Sequence, residues 1–548
     1  MKNADPLAYK LWSRAIRAEI NNLVTHGTFS LEEANKDEFV IPTTLVFKVK
    51  LTSDGSWDKA KARICVRGDI QGKHEDEDTW SPTSTKRTLR TLLADAAKHG
   101  AKIRQLDYIG AFLQAPVRGR IFVTLPSEFS EIHPKYNQYY GRPLRLIKSA
   151  YGMILSSKNW FLELQGFLVS EKVKFIRSDL DNALFVRKEH DGSITKMLVY
   201  IDDSLYYNTR NNEQILRALE NDLKARFKIE LQGFAHWFLS MRISQDRFGN
   251  YTLDQSRYIK NIVNKYIGGT KKRNITRPLS ADWIATKDDC AKNEKEIVQL
   301  TEEYRMEYQS VIGSLIYLMN TRPDITFAVT KLAKFMRSPG RPHFKALIHL
   351  LGYLRDNAEY GLKYYRKIED SAVHELLCQN DITDKHNMFG MCDSSWQDCV
   401  DTGRSTGSYM IFYQGGLVDF STFVPVPVAM STAEAECNAG ASAGMAISHM
   451  RMLINEVNGS DADIIWNPSI LLLTDSKSAE TIVNSEKDVK SLRHCKRRLF
   501  YLRQLKREQE IKFEYLSNNY MLADGGTKNL DGAEVDEIRK VIMVKVSV

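Results

Sequence analysis

Residues 196–208, KMLVYIDDSLYYN, place two adjacent carboxylates, Asp202 and Asp203, between two apolar runs of strand-forming residues. Adjacent aspartates in a polar stretch would simply make a turn. Here Val199, Tyr200, Ile201 and Leu205 pin the pair beside a core, at a hairpin bend. Like charges held there repel and raise each other's pKa unless a cation neutralises them. A divalent metal is the natural counter-ion, and Mg²⁺ prefers carboxylate oxygens. A third acid, Asp107 in RQLDYIGAFL, again lies at a strand end beside apolar residues.

The pattern around these acids predicts two α+β units joined by a helical connector. Apolar spacing predicts a helix over 7–24, with Leu7, Leu11, Trp12, Ile16, Ile20 and Leu23 near one face. Residues 40–70 alternate as a hairpin turning at Ser53-Asp54-Gly55. There follow a helix closed by Gly100, the Asp107 strand, a helix from about Ser156, the second hairpin and the helix EQILRALENDLKARF. Residues 270–300 are polar and read as a linker or exposed loop. Helices dominate 301–356, and a second polar stretch at 366–388 precedes a strand-rich unit over about 389–530.

With 43% hydrophobic and 26% charged residues in 548, the chain can bury several cores and is not disordered throughout. Its net charge of +9 suits a polyanion partner without demanding one. Seven cysteines without a CxxC, and histidines without metal-binding spacing, exclude a disulfide framework and a structural zinc site and favour a reducing compartment. The absence of a signal-like or bilayer-length apolar run leads us to expect a soluble intracellular protein with no membrane partner.

The strand-rich unit carries four more separated acids. Asp393 follows MFGMC in a strand, and Glu436 lies in a helix start capped by Ser431 or Thr432. Asp475 sits at a strand-to-helix switch, in LLLTDSKSA, and Asp524 lies in LADGGTKNL. Any one of these could be an ordinary cap or surface acid. Between the last two, residues 487–512 hold ten Lys/Arg and three acids, with Val489, Leu492, Leu499 and Leu502 as an apolar stripe. Its basic face would suit a phosphate backbone, and His494 within it reads as structural.

Taken in order, Asp107-x-x-x-Ala111-Phe112-Leu113, Leu146-x-Lys148-Ser149-Ala150-Tyr151-Gly152 and Tyr200-Ile201-Asp202-Asp203 resemble the reverse transcriptase of copia-type retrotransposons. Phe47-Lys48-Val49-Lys50, Lys61-Ala62-Arg63 and Arg67-Gly68 are similar to that family's fingers, and Tyr308-Gln309-Ser310 through Thr321-Arg322-Pro323-Asp324-Ile325 to its connector. The acids of the last unit, with STAEAE and TDSKSA, resemble the ribonuclease H that follows. The resemblance spans about residues 8–530.

It implies a multidomain α+β fold. A right-hand polymerase of fingers, palm and thumb would occupy 8–270, and a linker and helical connection 271–388. A ribonuclease H-like α/β domain would fill 389–530, leaving a C-terminal tail at 531–548. It implies RNA-directed DNA synthesis, with hydrolysis of the RNA in the hybrid. Two Mg²⁺ ions per site, or Mn²⁺, would be held by Asp107, Asp202 and Asp203 in one and by Asp393, Glu436, Asp475 and Asp524 in the other. Lys61, Arg63 and Arg67 would contact triphosphate, Phe112 would close on the sugar 2′ face, and Tyr151, Gly152 and Tyr200 would complete the substrate contacts. The implied partners are an RNA template, a DNA primer, the RNA–DNA hybrid and dNTPs, with a dimer or other retroelement proteins as further associates. Cytoplasmic retroelement particles, or the nucleus, would house it, and the chain would be the C-terminal portion of a polyprotein.

Three departures stand out. The segment after Tyr151-Gly152 reads MILSSKNW, without the family's lysine and proline, although Ser156 or Ser157 could cap the helix. Cys437 stands where an aromatic is usual, and Asn529 where proline often follows Thr-Lys. A weakened relic that binds nucleic acid therefore stands as the alternative expectation.

Overall fold

The computed structural model describes residues 5–546 apart from 52–56, 72–77, 269–272, 383–386, 427, 460–468 and 486–495. The turn at 53–55, Val489, Leu492 and His494 lie outside the described residues.

The first helix, Pro6–Thr25, starts on proline and buries Ile16, Ile20 and Leu23. That stripe packs on the hairpin Val40–Leu51/Trp57–Val66 through Ala62, Ile64 and Val66. The register pairs Lys48 with Lys61 and Lys50 with Lys59, so strand alternation turns these lysines and Arg63 to the opposite face.

A six-stranded sheet follows, in spatial order 229–234, 104–108, 203–208, 194–200, 184–188 and 176–177. The helices Ser156–Leu168 and Glu213–Arg226 cover one face. The helix Lys86–His99, ended by Gly100 at φ +60, covers the other. A Cβ at Gly100 would be strained by that φ, which is why glycine closes this helix.

The expected linker is partly structured. Leu279 is buried, and Glu294–Tyr304 is a helix whose first turn is capped by Asn293. With Tyr308–Leu318, Thr326–Ala333 and Arg341–Asp356 it builds a core of its own. Arg322 is fully buried there; its guanidinium bonds both Asp324 oxygens, and Tyr353 donates to the same carboxylate. The 366–388 stretch likewise contains a helix, Ala372–Gln379.

In the last unit the strands run 416–423, 406–413, 388–395, 470–474 and 511–515, the last two pairings being parallel. The helix Thr432–Val457 packs on them, with Cys437 wholly in the core. Small residues allow a second helix, Lys496–Arg507, to approach closely: a Cβ on Gly444 would meet Leu505 at 2.8 Å. No helix among the described residues is long and apolar enough to cross a membrane.

Two expectations about segmentation are corrected. Residues 531–548 are no tail: Gly532–Ile542 is a helix capped by Asp531, and Met543–Lys545 is a strand. That strand pairs with 360–364, which pairs with 251–254, so one sheet stitches together the expected thumb, connector and C-terminus. The units are also not separate cores. Arg90 donates to the Val418 carbonyl at 2.8 Å, Arg87 pairs with Asp419 at 2.7 Å, and one apolar cluster runs from Leu89 to Met543. The physical reason is that short amphipathic segments bury their apolar stripes against whatever neighbour the chain returns to them, which local patterning does not specify.

Candidate functional sites

The first acid cluster is assembled by strand register. Asp203 pairs directly with Asp107, and Glu230 flanks Asp107 from its other side. The Tyr108 N–H donates to the Asp202 carbonyl at 2.7 Å, and the Trp160 indole N–H to the Ile201 carbonyl at 2.6 Å. Gln105, two residues before Asp107 and so on the same face, donates to Asp203 at 3.2 Å. Burial and then Asp202 and Asp203 push the Asp107 carboxyl up to about 6, with Lys50 opposing. Burial also raises Asp203. These three carboxylates are neighbours, but among the described residues they do not form a group whose ligating atoms all lie within 4.8 Å.

The expected substrate contacts divide. Lys61 is half-buried; burial and then Arg63 lower its pKa, while Glu19 and Asp107 support its charge. The Arg63 guanidinium lies 4.8 Å from the Tyr151 ring centroid, and Phe112 meets Tyr151 edge-on at 5.6 Å. Burial and then Glu19 push the Tyr151 phenol up to about 12, with Asp202 and Asp107 adding to the effect. Lys61, Arg63, Phe112 and Tyr151 therefore gather beside the acids. Arg67 does not: it is exposed and spent on Asp69, Nη2 to Oδ2 2.6 Å, because the turn at Gly68–Ile70 brings that acid under it. Tyr200 packs instead on Phe238, 6.3 Å away, with the Lys86 ammonium 5.7 Å from its ring.

Gly152 works through its backbone. At φ +86, a Cβ there would lie 2.2 Å from the Val66 carbonyl oxygen, and one on Gly68 would lie 2.1 Å from the Gly152 oxygen. The two glycines let the Tyr151 turn close on the end of the hairpin, where the Val66 N–H donates to the Tyr151 carbonyl at 2.7 Å. Gly152→Ala is expected to lower stability by at least about 1–3 kcal/mol, the cost of a forced backbone conformation, before the clash is counted. Urea unfolding measures this, and an unchanged midpoint would show that the turn relaxes freely.

Neither serine caps the helix after the divergent segment. Leu155 holds the N-cap position, and Ser156 donates back to the Ala150 carbonyl at 2.6 Å. Sequence reading also missed Glu19, a buried acid accepting the Ile64 N–H at 3.3 Å beside Lys61 and Arg63. Its signal was weak: one acid on the buried face of the first helix.

The second cluster is tighter. Asp393 lies 1% exposed in strand 388–395, whose parallel neighbour pairs Cys392 with Thr474 and so delivers Asp475 alongside. Ser476 takes the N-cap, accepting the Ala479 N–H at 3.2 Å, so Asp475 is left for the cluster. Glu434 is occupied at its helix start, accepting the Met430 N–H at 2.8 Å. Glu436, by contrast, accepts the Ser394 N–H at 3.2 Å while its buried Oε2 has no hydrogen-bond partner among the described residues. Asp393, Asp475 and Asp524 each offer an oxygen within 4.8 Å of the others.

Burial and then the neighbouring acids push Glu436 up to about 10 and Asp524 up to about 8, and raise Asp475 as well. Lys528 opposes this, its Nζ 2.9 Å from Asp524, and the Thr527 hydroxyl donates to Asp393. Asn518, with its amide nitrogen toward the acids, reaches Asp475 at 2.9 Å and Asp524 at 3.2 Å. Only Lys528, four residues after Asp524, carried a sequence signal. Asn529 donates to the Ser280 carbonyl at 2.9 Å, tying the site to the connector. In the basic helix, Arg503 and Lys506 bond the carbonyls of Ile482 and Asn484, so part of its charge is spent internally.

A hard oxygen-ligand cluster with an orphaned buried carboxylate oxygen fits a divalent cation, the metal class that suits carboxylate sets. Residues 26–281 match the family described as reverse transcriptase (RNA-dependent DNA polymerase). The Pol polyprotein of transposon TNT 1-94 from Nicotiana tabacum is 25% identical over 94% of this chain and 36% of its own length. That of transposon RE1 from Arabidopsis thaliana is 28% identical over 81% of this chain and 28% of its own. The chain thus spans about a third of these curated relatives. Along most of its length the chain is thus similar to the retrovirus-related Pol polyproteins of transposons, and its residues 26–281 match the reverse transcriptase family.

Proposed function

We propose that this chain copies RNA into DNA at Asp107, Asp202 and Asp203 and hydrolyses the RNA of the hybrid at Asp393, Glu436, Asp475 and Asp524. The observation that carries the reading is the pair of acid clusters on two different sheets, each built at a folding cost that a bound cation would relieve. Two Mg²⁺ or Mn²⁺ ions at each cluster would supply Lewis-acid stabilisation of the charge on the reacting phosphoryl group.

The chain's own side chains do the rest. Lys61 and Arg63 set positive charge beside Asp107, where a dNTP triphosphate would lie. Phe112 and Tyr151 form an aromatic wall that limits what sugar fits. Lys528 and Thr527 orient Asp524 and Asp393, and the burial of the second cluster restricts water. An RNA template, a DNA primer and their hybrid are the partners, and cytoplasmic retroelement particles the setting.

Extension of a labelled DNA primer on RNA, with parallel cleavage of labelled RNA in a hybrid, tests this directly. Asp202→Asn should lower synthesis by about 10²-fold or more and spare cleavage, as loss of a preorganised charge does. Asp475→Asn should do the reverse. A wild-type chain that binds hybrid tightly yet performs neither reaction would leave the nucleic-acid-binding relic in its place.

A further inference from the structure

We infer that Trp160 is a positioning residue that holds the Asp202 bend against Asp107 through its indole N–H, an inference that rests on the polymerase reading above. The bend carries an unusual backbone. Ile201 has φ +53, a region that L-residues with a branched Cβ rarely enter. Something outside the bend must hold it there.

Two donors do so. The Tyr108 N–H takes the Asp202 carbonyl at 2.7 Å, continuing the pairing of the Asp107 strand. The preceding carbonyl, that of Ile201, is taken by a side chain: Trp160 Nε1, at 2.6 Å. Trp160 is 1% exposed, and its ring meets the Tyr108 ring at 5.0 Å and Phe227 at 5.4 Å, both edge-on. One residue therefore touches the backbone of the bend and the residue after Asp107. It fixes the two acids relative to each other without contacting substrate.

The divergent 153–159 segment leaves this anchor in place. The helix Ser156–Leu168 needs only to deliver Trp160 at its second turn, and it starts without a side-chain cap. What precedes the tryptophan can change while the anchor persists.

Trp160→Phe keeps an aromatic in the same pocket and removes the donor. The expected result is a kcat for primer extension lower by about 10- to 10²-fold, the scale of a small misplacement of reacting groups. The KM for dNTP should stay within about twofold, because Lys61, Arg63 and Phe112 are untouched. Cleavage of hybrid RNA should be unchanged. Independently of activity, amide exchange at Tyr108 should quicken while the Lys86–His99 helix stays protected. Adding Ile201→Gly should recover most of kcat, since glycine adopts φ +53 without strain.

Unaltered kcat and unaltered Tyr108 exchange in Trp160→Phe would overturn the inference. So would an equal loss of synthesis and cleavage, or failure of Ile201→Gly to recover activity. A wild type that does not extend primers would defeat the polymerase reading instead, and the exchange measurement would still judge the anchor.

Discussion

Lys196→Met should destabilise the protein by about 3–5 kcal/mol, the range for removing one partner of a buried ion pair. Lys196 is 0% exposed, and its ammonium bonds the equally buried Asp95. The Tyr207 hydroxyl donates to the same carboxylate at 2.7 Å, and His99 lies 3.6 Å from its other oxygen. Burial alone would raise the Asp95 pKa, but Lys196 and His99 overcome it and hold the acid below its usual range. Its stabilisation is therefore present above the unfolded carboxylate pKa and fades only as pH falls through the lower folded value.

Without Lys196 the burial effect prevails and the sign reverses. The mutant pays most near neutral pH, and its deficit shrinks as acid protonates Asp95. Lys196→Met/Asp95→Asn should regain most of the loss. Urea midpoints at pH 5 and pH 7.5 would check this; equal midpoints for wild type and Lys196→Met at both would sink it. The location makes the effect global, because Lys98 on the same helix reaches the Tyr413 hydroxyl of the C-terminal sheet at 3.5 Å.

The second large effect concerns the Asp393 cluster without divalent cations. Acids whose folded pKa lies above the unfolded value keep protons that the unfolded chain releases, so stability falls as pH rises through that interval. For Asp524 the interval reaches to about 8 and for Glu436 to about 10. Each unit corresponds to roughly 1.4 kcal/mol. The melting temperature in chelator should therefore drop between pH 6 and pH 9. Mg²⁺ should raise it more at pH 9 than at pH 6, by binding the native state alone. Asp524→Asn should flatten the dependence while abolishing RNA cleavage. A melting temperature indifferent to pH in chelator would show that the acids are relieved in some other way.

Local order was readable wherever one chemical signal dominated. The Lys86–His99 helix announced its end through Gly100, and the Asp202-Asp203 bend through the apolar runs on both sides. Alternation put Lys61 and Arg63 on one face, and the hairpin register added Lys48 to it. Arg67 instead pairs with Asp69, two residues on. The Tyr200 ring finds Phe238 and Lys86, residues distant in the chain.

The choice between Glu434 and Glu436 shows the divide most sharply. Both lie at one helix start, and spacing alone cannot say which joins Asp393. Packing decides it: Glu434 turns back to the Met430 amide, while Glu436 is carried to the Ser394 amide. The sequence by itself determined which acids exist, the strands and helices that bear them, and the family they resemble, since these follow from side-chain chemistry and short-range periodicity. Only the tertiary structure decided that Trp160 holds the bend, that Asn518 reaches the second cluster, and that the last strand joins the sheet of residues 251–254. The hydrogen bond from Trp160 to Ile201 alone bridges 41 residues of chain. Nothing local encodes such pairings; they arise because burying apolar faces brings distant segments together, and buried polar groups must then find whatever partner is there.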